Sequence, residues 1–287
     1  MLVTLKEVLD HARKNKYCVA AFDCIEDVMP RAIMEAAEAE RAPVILMVLN
    51  WDLETGNGSG WHYQIPHIKA AAEFYNIPIV LHLDHATKLE PVKKAVQWGL
   101  TGVMIDGSSL SFDENVALTK AAVEIARPKG VSVEAELGHV GGLDLAETKC
   151  AENVLTEPDE VQRFCELTGV DALAVSIGTS HGVYKAEPTL NIERLKELDA
   201  ISPVPLVLHG GSGTPNDQIQ ESVRNGICKL NIYSDEREAM TRGLEISSKS
   251  QTRPDAIPQD IFGPIKNELM AVVTEKIRLL FSDGKAG

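Results

Sequence analysis

Residues 80–90 read VLHLDHATKLE, and this stretch decides how the rest of the chain is interpreted. An apolar run typical of a buried strand ends in His82, Asp84 and His85, and a helical pattern begins a few residues later. Ionisable groups are costly to bury without partners. Three of them at the end of a core strand therefore indicate either a structural network or a bound metal or substrate. A strand that leads directly into a helix is also typical of a parallel βαβ unit.

The same strand-to-helix pattern recurs along the chain. Runs rich in valine, isoleucine and leucine occur at 17–22, 43–49, 78–83, 102–105, 131–136, 171–177, 204–209 and 227–232. Continuous apolar strands separated by helices indicate a parallel sheet. Eight such units in 287 residues predict a (β/α)8 TIM barrel, a single domain over 1–287, with extra C-terminal helices after residue 235. A doubly wound sheet is the alternative, but no GxGxxG motif follows the first strand.

The composition argues against several kinds of partner. The formal net charge of -14 leaves no basic stripe for nucleic acid. No apolar run approaches transmembrane length, so a membrane is not expected as a partner. The five scattered cysteines contain no CxxC pair and read as reduced thiols, and the charged N-terminal helix is unlike a signal peptide. These features predict a cytoplasmic protein.

Histidines follow three of the predicted strands. Chemistry in a TIM barrel takes place at the carboxyl ends of the strands, where His85, His181 and His209 lie. Polar residues also accumulate there because solvent begins, but this explains aspartates better than three of only eight histidines. Three imidazoles beside an open position describe a catalytic zinc site. His82, which faces inward, is interpreted as a supporting or structural residue.

Two acidic residues face the barrel interior. Glu134 and Glu136 are two positions apart on a strand, so both point to the same side. Burying this pair is costly unless cations neutralise it. Lys229 on the eighth strand is a structural partner for one of them, and Glu136, nearer the mouth, is the candidate metal ligand.

The segment LHGGSGTP (208–215) carries a different signal. Its glycines, Gly210, Gly211 and Gly213, let the backbone approach a ligand closely, and Thr214 is the predicted N-cap of the next helix. Amide groups near a helix start favour a phosphate, and loops after strands seven and eight often bind phosphate in this architecture. A plain tight turn is the alternative.

Several segments, taken together, resemble the class II, metal-dependent ketose-bisphosphate aldolases. They are HLDHA, MIDGS, VSVEAELGHVGG, IGTSHGVY and LVLHGGSGTP…KLNI, in order and at ordinary spacing up to about residue 240. The resemblance implies a homodimeric or homotetrameric TIM barrel that splits a phosphorylated ketose into dihydroxyacetone phosphate and an aldehyde through a zinc-stabilised enediolate. One Zn²⁺ per subunit would be held by His85, His181 and His209, with Glu136 able to approach it. A monovalent cation, Na⁺ or K⁺, often assists.

The resemblance also implies roles for other residues. Asp84 matches the acid/base at the C4 oxygen of the sugar. Asp144, in the long loop 138–153, takes the place of a loop glutamate that exchanges the carbon proton, with a side chain one methylene shorter. The positions expected to hold the substrate and its first phosphate are Gly182, Gly210, Gly211, Ser212, Asn231 and Ser234.

Departures from the family pattern concentrate on the aldehyde side of the substrate. Asp23 stands where the first strand usually ends in asparagine, and Tyr233 replaces a smaller residue after strand eight. Asn50 and Trp51 replace small hydroxyl residues that help hold the far phosphate. These changes predict an altered aldehyde half-site.

The arginine that grips the far phosphate in the family is also absent. Gly263 lies near its place, although Arg253 or Lys266 could substitute. Losing a bidentate arginine removes a strong charge-assisted contact, so a ketose 1-phosphate substrate is expected. A metal-dependent hydrolase on the same barrel and a non-catalytic, chaperone-like subunit related to the aldolases are the alternatives.

Overall fold

Eight parallel strands close into one barrel. The computed structural model describes residues 1–50, 60–141, 153–179 and 188–287. Each strand pairs with the next, and the last pairs with the first. The strands are β1 (Val19–Asp23), β2 (Val44–Leu49), β3 (Ile79–Ala86), β4 (Gly102–Ile105), β5 (Ser132–Leu137), β6 (Ala172–Val175), β7 (Leu206–Leu208) and β8 (Ile227–Ile232). The predicted TIM barrel is confirmed.

Helices surround the barrel and extend it at the C-terminus. The α-helices in the described residues are α1 (Leu5–Asn15), α2 (Val28–Ala39), α3 (Trp61–Ala72), α4 (Leu89–Trp98), α5 (Phe112–Ala126), α6 (Pro158–Thr168), α7 (Ile192–Ile201), α8 (Asn216–Arg224), α9 (Ser234–Ser250) and α10 (Pro258–Leu279). A short 3₁₀ turn follows α5 at Arg127–Lys129. The C-terminal helices α9 and α10 pack on each other, and α10 also packs on α2. None of the described helices is long and apolar enough to cross a membrane.

Strand residues alternate between two apolar layers. Leu81 and Leu83 of β3 face outward and join the core beneath the helices, whereas Val80 faces the barrel interior. Buried residues of α1 share that interior cluster, so α1 closes the amino end of the barrel. The barrel interior is thus apolar at the amino end, and polar side chains are left for the carboxyl end.

Charged and aromatic groups occupy the next interior level. His82, Glu134 and Lys229 are all fully buried there. Gly102 on β4 makes room for one of them, because a Cβ at this position would lie 2.6 Å from His82 Nδ1. The barrel core therefore contains an ionisable cluster directly below the mouth.

Candidate metal centre and acid/base site

A bulge at the end of β3 brings two neighbouring side chains to the same place. Between Leu83 and Ala86, β3 has one residue more than its partner β4, and both flanking residues belong to the outer apolar layer. His85 occupies this bulge with a φ of 38°. Simple alternation would send Asp84 and His85 to opposite faces, whereas the bulge lets both face the mouth. A positive φ at a histidine is strained backbone of the kind found at functional sites.

Asp106, just after β4, fixes the His85 ring. His85 Nδ1 donates to Asp106 Oδ2 (3.0 Å), and the backbone N–H of Ser108 donates to Asp106 Oδ1 (3.0 Å). Burial favours the neutral acid, but these hydrogen bonds hold the pKa of Asp106 below its usual range. Burial likewise opposes charge on His85, yet Asp84 and Asp106 raise its pKa well above the usual value. With Nδ1 engaged, Nε2 is the His85 nitrogen that faces the mouth.

His209, after β7, is held through its other ring nitrogen, Nε2, and leaves Nδ1 to face His85. Its Nε2 donates to Glu134 Oε1 (2.9 Å), and its Nδ1 lies 2.7 Å from His85 Nε2. Two ring nitrogens at this distance need a proton or a cation between them, since their lone pairs otherwise repel. The two rings are perpendicular, with centroids 4.6 Å apart. Each ring therefore presents one nitrogen to a common point.

Glu136 completes a cluster that could hold a metal ion. Ligand atoms of His85, Glu136 and His209 all lie within 4.8 Å of one another, and Glu136 Oε2 is 4.0 Å from His209 Nδ1. Glu136 Oε1 accepts from the backbone N–H of Val140 (3.0 Å), while Oε2 has no hydrogen-bond partner among the described residues. Burial and the Asp106 carboxylate raise the pKa of Glu136 to about 8, against the influence of His85.

The donor set fits a zinc ion. Two imidazole nitrogens and one carboxylate oxygen are ligands that Zn²⁺ prefers, and each ring has a carboxylate on its other nitrogen, as metal-bound histidines usually do. The third predicted histidine, His181, lies outside the described residues, as do Gly182, Asp144 and Trp51.

A buried chain of contacts leads from the histidines to Asp84. Lys229 Nζ lies 2.9 Å from Glu134 Oε2 and donates to Asn231 Oδ1 (2.7 Å). Asn231 Nδ2 in turn donates to Asp84 Oδ1 (3.0 Å). The predicted structural pairing of Lys229 with one interior glutamate is confirmed, and Glu134 is that glutamate.

His82 lies beside this chain without joining it through a hydrogen bond. Its Nε2 is 3.6 Å from Glu134 Oε2, and neither ring nitrogen has a hydrogen-bond partner among the described residues. Burial and the Lys229 charge lower the pKa of His82 to about 3, although Glu134 opposes this. His82 is therefore a neutral interior residue, as its inward position suggested.

The glycine-rich loop after β7 lies against the end of β8. Gly210 has a φ of 71°, and Gly211 has no room for a side chain, because a Cβ there would approach the Asn231 carbonyl oxygen to 2.8 Å. Ser212 Oγ accepts from the backbone N–H groups of Tyr233 (3.2 Å) and Asp235 (3.4 Å), next to the start of α9 at Ser234. The loop and the first turn of α9 thus form one backbone-lined corner.

The helix after this loop begins one residue later than predicted. Thr214 is not its N-cap, since Pro215 holds that position. The Thr214 hydroxyl donates instead to the Gly210 carbonyl oxygen (3.1 Å) and tightens the loop. The prediction of Thr214 as the N-cap was therefore wrong by one position.

A buried acid near the end of β1 was not revealed by the sequence pattern. Asp23 ends β1 and is buried, and Asn50 follows β2. Glu236, in the first turn of α9, is fully buried. Burial and the charges of Asp23 and Asp235 raise the pKa of Glu236 well above its usual range, although a backbone hydrogen bond from Asp23 opposes this. An acid in the first turn of a helix is common, so nothing in the pattern distinguished it.

A second contact that the sequence pattern did not reveal joins Ser108 and His139. Ser108 Oγ is 2.8 Å from His139 Nδ1, and the backbone of His139 pairs with Val154 across the gap in the described residues. His139 lies in the loop that follows β5. The GHVGG segment places it three residues after Glu136, but no residue pattern indicated Ser108 as its partner.

Comparison with known proteins agrees with this geometry. The family model of the class II fructose-bisphosphate aldolases matches residues 3–285. The chain belongs to this family. It is 38% identical over 289 residues to the fructose-bisphosphate aldolase of Geobacillus stearothermophilus, covering 99% of both chains. It is also 38% identical to the enzyme of that name from Giardia intestinalis, covering 100% of this chain and 95% of the other.

A solved aldolase structure has the same fold. The crystal structure of the YdjI aldolase from Escherichia coli K12 superposes with a TM-score of 0.88 at 32% identity, and the match covers 100% of both chains. The protein is thus a class II aldolase, a lyase of carbohydrate metabolism. This assignment favours catalysis over both the hydrolase alternative and the non-catalytic subunit.

Proposed function

We propose that this aldolase cleaves a phosphorylated ketose, reversibly, into dihydroxyacetone phosphate and an aldehyde. The observation that carries the proposal is the β3 bulge, which places Asp84 beside the ring of His85, opposite His209 and Glu136. An aldol cleavage needs a group that moves a proton on the C4 oxygen and a positive charge that stabilises the enolate-like product. Asp84 could move the proton, and a metal ion held by His85, His209 and Glu136 could supply the positive charge.

The metal would be one Zn²⁺ per subunit. His85 Nε2, His209 Nδ1 and Glu136 Oε2 are the described atoms that could hold it, and His181 is the further ligand that the family implies. The bound ion supplies a Lewis acid that polarises the ketone of the substrate. A monovalent cation, Na⁺ or K⁺, near the first phosphate remains part of the proposal on family grounds.

The chain's own residues supply binding and proton transfer. Asp84 removes the proton from the C4 hydroxyl in cleavage and returns it in synthesis, and Asn231 Nδ2 orients the carboxylate by its 3.0 Å hydrogen bond. Asp144 is proposed to exchange the proton on carbon. The phosphate of dihydroxyacetone phosphate would bind at the corner formed by the glycine-rich loop and α9, through Gly182, Gly210, Gly211, Ser212 and Ser234.

Metal removal and replacement of Asp84 test the reaction class. Dialysis against a chelator should lower cleavage at least about a thousandfold, with recovery on adding Zn²⁺. Asp84→Asn should lower kcat by about a hundredfold or more while leaving bound zinc unchanged. His67→Gln, on the exposed face of α3, is a matched control and should retain both zinc and activity. Full activity of the metal-free protein would contradict the proposal.

The preferred substrate is proposed to be a ketose 1-phosphate. The two cations that could replace the missing arginine are engaged elsewhere, since Arg253 pairs with Asp255 (2.7 Å) and Lys266 with Glu35 (2.5 Å). Gly263 lies within α10 facing open space, and Asp23 adds an acid to the aldehyde side. Trp51, Asn50 and Tyr233 would then shape the pocket for an aldehyde without phosphate.

Steady-state kinetics with two sugars test this substrate preference. Cleavage of fructose 1-phosphate should exceed that of fructose 1,6-bisphosphate by about tenfold or more in kcat/KM, because a second phosphate finds acids rather than an arginine. Equal efficiency on both sugars would remove the basis for an altered half-site, while leaving the aldolase assignment intact.

The assembly is proposed to be a homodimer or homotetramer. Leu244 and Ile246 of α9, together with Phe262 of α10, are large apolar side chains that stay exposed on the C-terminal helices. Light scattering on the purified protein would measure the number of subunits. A cytoplasmic location remains an expectation, supported by the free, buried thiols of Cys18, Cys24, Cys165 and Cys228.

A further inference from the structure

Lys229 lies at the centre of the buried contacts, although it touches neither the metal cluster nor the mouth. Its side chain points inward from β8 and is fully buried. The ammonium group lies 2.9 Å and 3.1 Å from the two oxygens of Glu134, and it donates to Asn231 Oδ1 at 2.7 Å. One cation thus holds two side chains that lead to different parts of the site.

The first branch leads to the metal cluster. Glu134 Oε1 accepts the hydrogen bond from His209 Nε2 at 2.9 Å. A carboxylate on one ring nitrogen fixes the tautomer and the ring orientation, so that the other nitrogen, His209 Nδ1, is left to bind metal. The geometry of Glu134 depends in turn on Lys229, which contacts both of its oxygens.

The second branch leads to the acid/base. The amide of Asn231 could in principle be turned either way about its last side-chain bond. Lys229 can only donate hydrogen bonds, so it requires the amide oxygen to face it. The NH₂ group must then point away from Lys229, which is where Asp84 Oδ1 receives it at 3.0 Å. Lys229 therefore decides whether Asp84 meets a donor or an acceptor.

We propose that Lys229 is a positioning residue of the aldolase reaction, which sets both the metal-binding nitrogen of His209 and the orientation of Asp84. The inference rests on the proposed function for the role of Asp84, whereas the metal branch stands on the contacts alone. A single buried ammonium group thereby couples the two halves of the chemistry. A purely structural ion pair would explain the burial of Lys229 but would leave catalysis insensitive to it once the fold is restored.

A pair of variants separates positioning from stability. Lys229→Met removes the cation and leaves Glu134 unbalanced, so both folding and catalysis are expected to suffer. The double variant Glu134→Gln/Lys229→Met removes both charges, and the unfolding midpoint should return towards the wild-type value. Lys196→Met, which breaks an exposed pair with Glu193, is the matched control for losing a lysine.

Three quantities are measured on the zinc-loaded proteins: the unfolding midpoint, the zinc affinity by competition with a chromophoric chelator, and kcat and KM for fructose 1-phosphate or fructose 1,6-bisphosphate. In Lys229→Met, zinc binding should weaken about tenfold or more. In the double variant, kcat should remain about tenfold or more below wild type, while KM changes by no more than about threefold. The control should match wild type in all three.

Two results would overturn the inference, and a third concerns the proposed function. Recovery of kcat and zinc affinity to near wild type in the double variant would reduce Lys229 to a structural ion pair. Unchanged kcat and zinc affinity in Lys229→Met would do the same. If the wild-type enzyme cleaved neither sugar, the proposed function and the Asp84 branch would fail together. Weaker zinc binding in Lys229→Met would then still support the His209 branch.

Discussion

Glu134 and Glu236 are both fully buried carboxyl groups close to the barrel mouth, but their surroundings are opposite. Glu134 contacts Lys229 and His209 through both of its oxygens. Glu236 is buried next to two other acids, Asp23 and Asp235, and only a backbone hydrogen bond from Asp23 opposes the rise of its pKa. Glu134 thus has a buried cation as its partner, whereas no ion pair involves Glu236 among the described residues.

The comparison indicates that Glu236, unlike Glu134, destabilises the folded state. A buried acid with a cation and a hydrogen-bond donor is tolerated, whereas one without them costs free energy in the folded state. Such costs are expected where function, rather than packing, has chosen the residue. The sequence also departs from the family pattern next to Glu236, at Asp23 and Tyr233.

The largest expected change in stability comes from removing the cation beside Glu134, so that this glutamate is buried without a charge partner, as Glu236 is. Lys229→Met leaves a buried carboxylate without its cation, and the free energy of unfolding of the metal-free protein should fall by about 3–5 kcal/mol. Urea unfolding followed by circular dichroism measures this. A loss much below that range would mean that Glu134 is not held mainly by Lys229.

Replacing Glu236 with an uncharged residue is expected to raise the free energy of unfolding, by less than the loss in Lys229→Met. The pKa of this group is raised in the folded state, so the folded protein favours the protonated acid. Above the ordinary value of 4.5 the unfolded chain loses the proton more readily, and wild-type stability therefore falls as pH rises. Glu236→Gln has no proton to lose, so it should be more stable than wild type by about 1–3 kcal/mol at neutral pH.

The pH dependence provides the check on Glu236. The advantage of Glu236→Gln should disappear below about pH 4 and grow as the pH rises above about 5 in thermal unfolding scans. Glu238→Gln, on the exposed side of the same helix, is the matched control and should show no such trend. An advantage independent of pH would indicate better packing instead of a relieved charge.

The smallest effect concerns acids and cations outside the barrel. Arg253 and Lys266 already pair with Asp255 and Glu35. Arg253→Ala and Lys266→Met should therefore change kcat/KM for fructose 1,6-bisphosphate by no more than about twofold, since both cations are already paired with acids. A tenfold loss in either variant would show that a cation does reach the far phosphate, and the contrast between the two sides of the site would weaken.

The sequence predicted the barrel because the relevant signals are local. Apolar runs and turn residues mark each strand, and β4 and β8 have the predicted bounds of 102–105 and 227–232. The pairing of Lys229 with an interior glutamate followed from the alternation of strand residues. The metal cluster was predicted from strand ends and from family motifs, and the described geometry brings His85, His209 and Glu136 together.

What the sequence did not reveal depends on non-local contacts. The prediction ended the third strand at residue 83, where ionisable residues begin, but β3 continues through the bulge to Ala86. A positive φ at His85 has no signature in its residue type. The burial of Glu236 depends on the tertiary packing of the first turn of α9, and the Ser108–His139 contact joins two loops, so neither has a sequence pattern.

The extra residue in β3 also restricts how this barrel can change. Adjacent residues on a regular strand belong to different layers, so a perfectly regular third strand could offer its mouth a proton carrier or a metal ligand, but not both in succession. Only Asp84 and His85 lie between Leu83 and Ala86, so deleting one residue there would restore the regular pleat and leave a single inward-facing side chain in place of two. Attempts to transplant this chemistry into idealised barrels should therefore copy the irregularity together with the side chains.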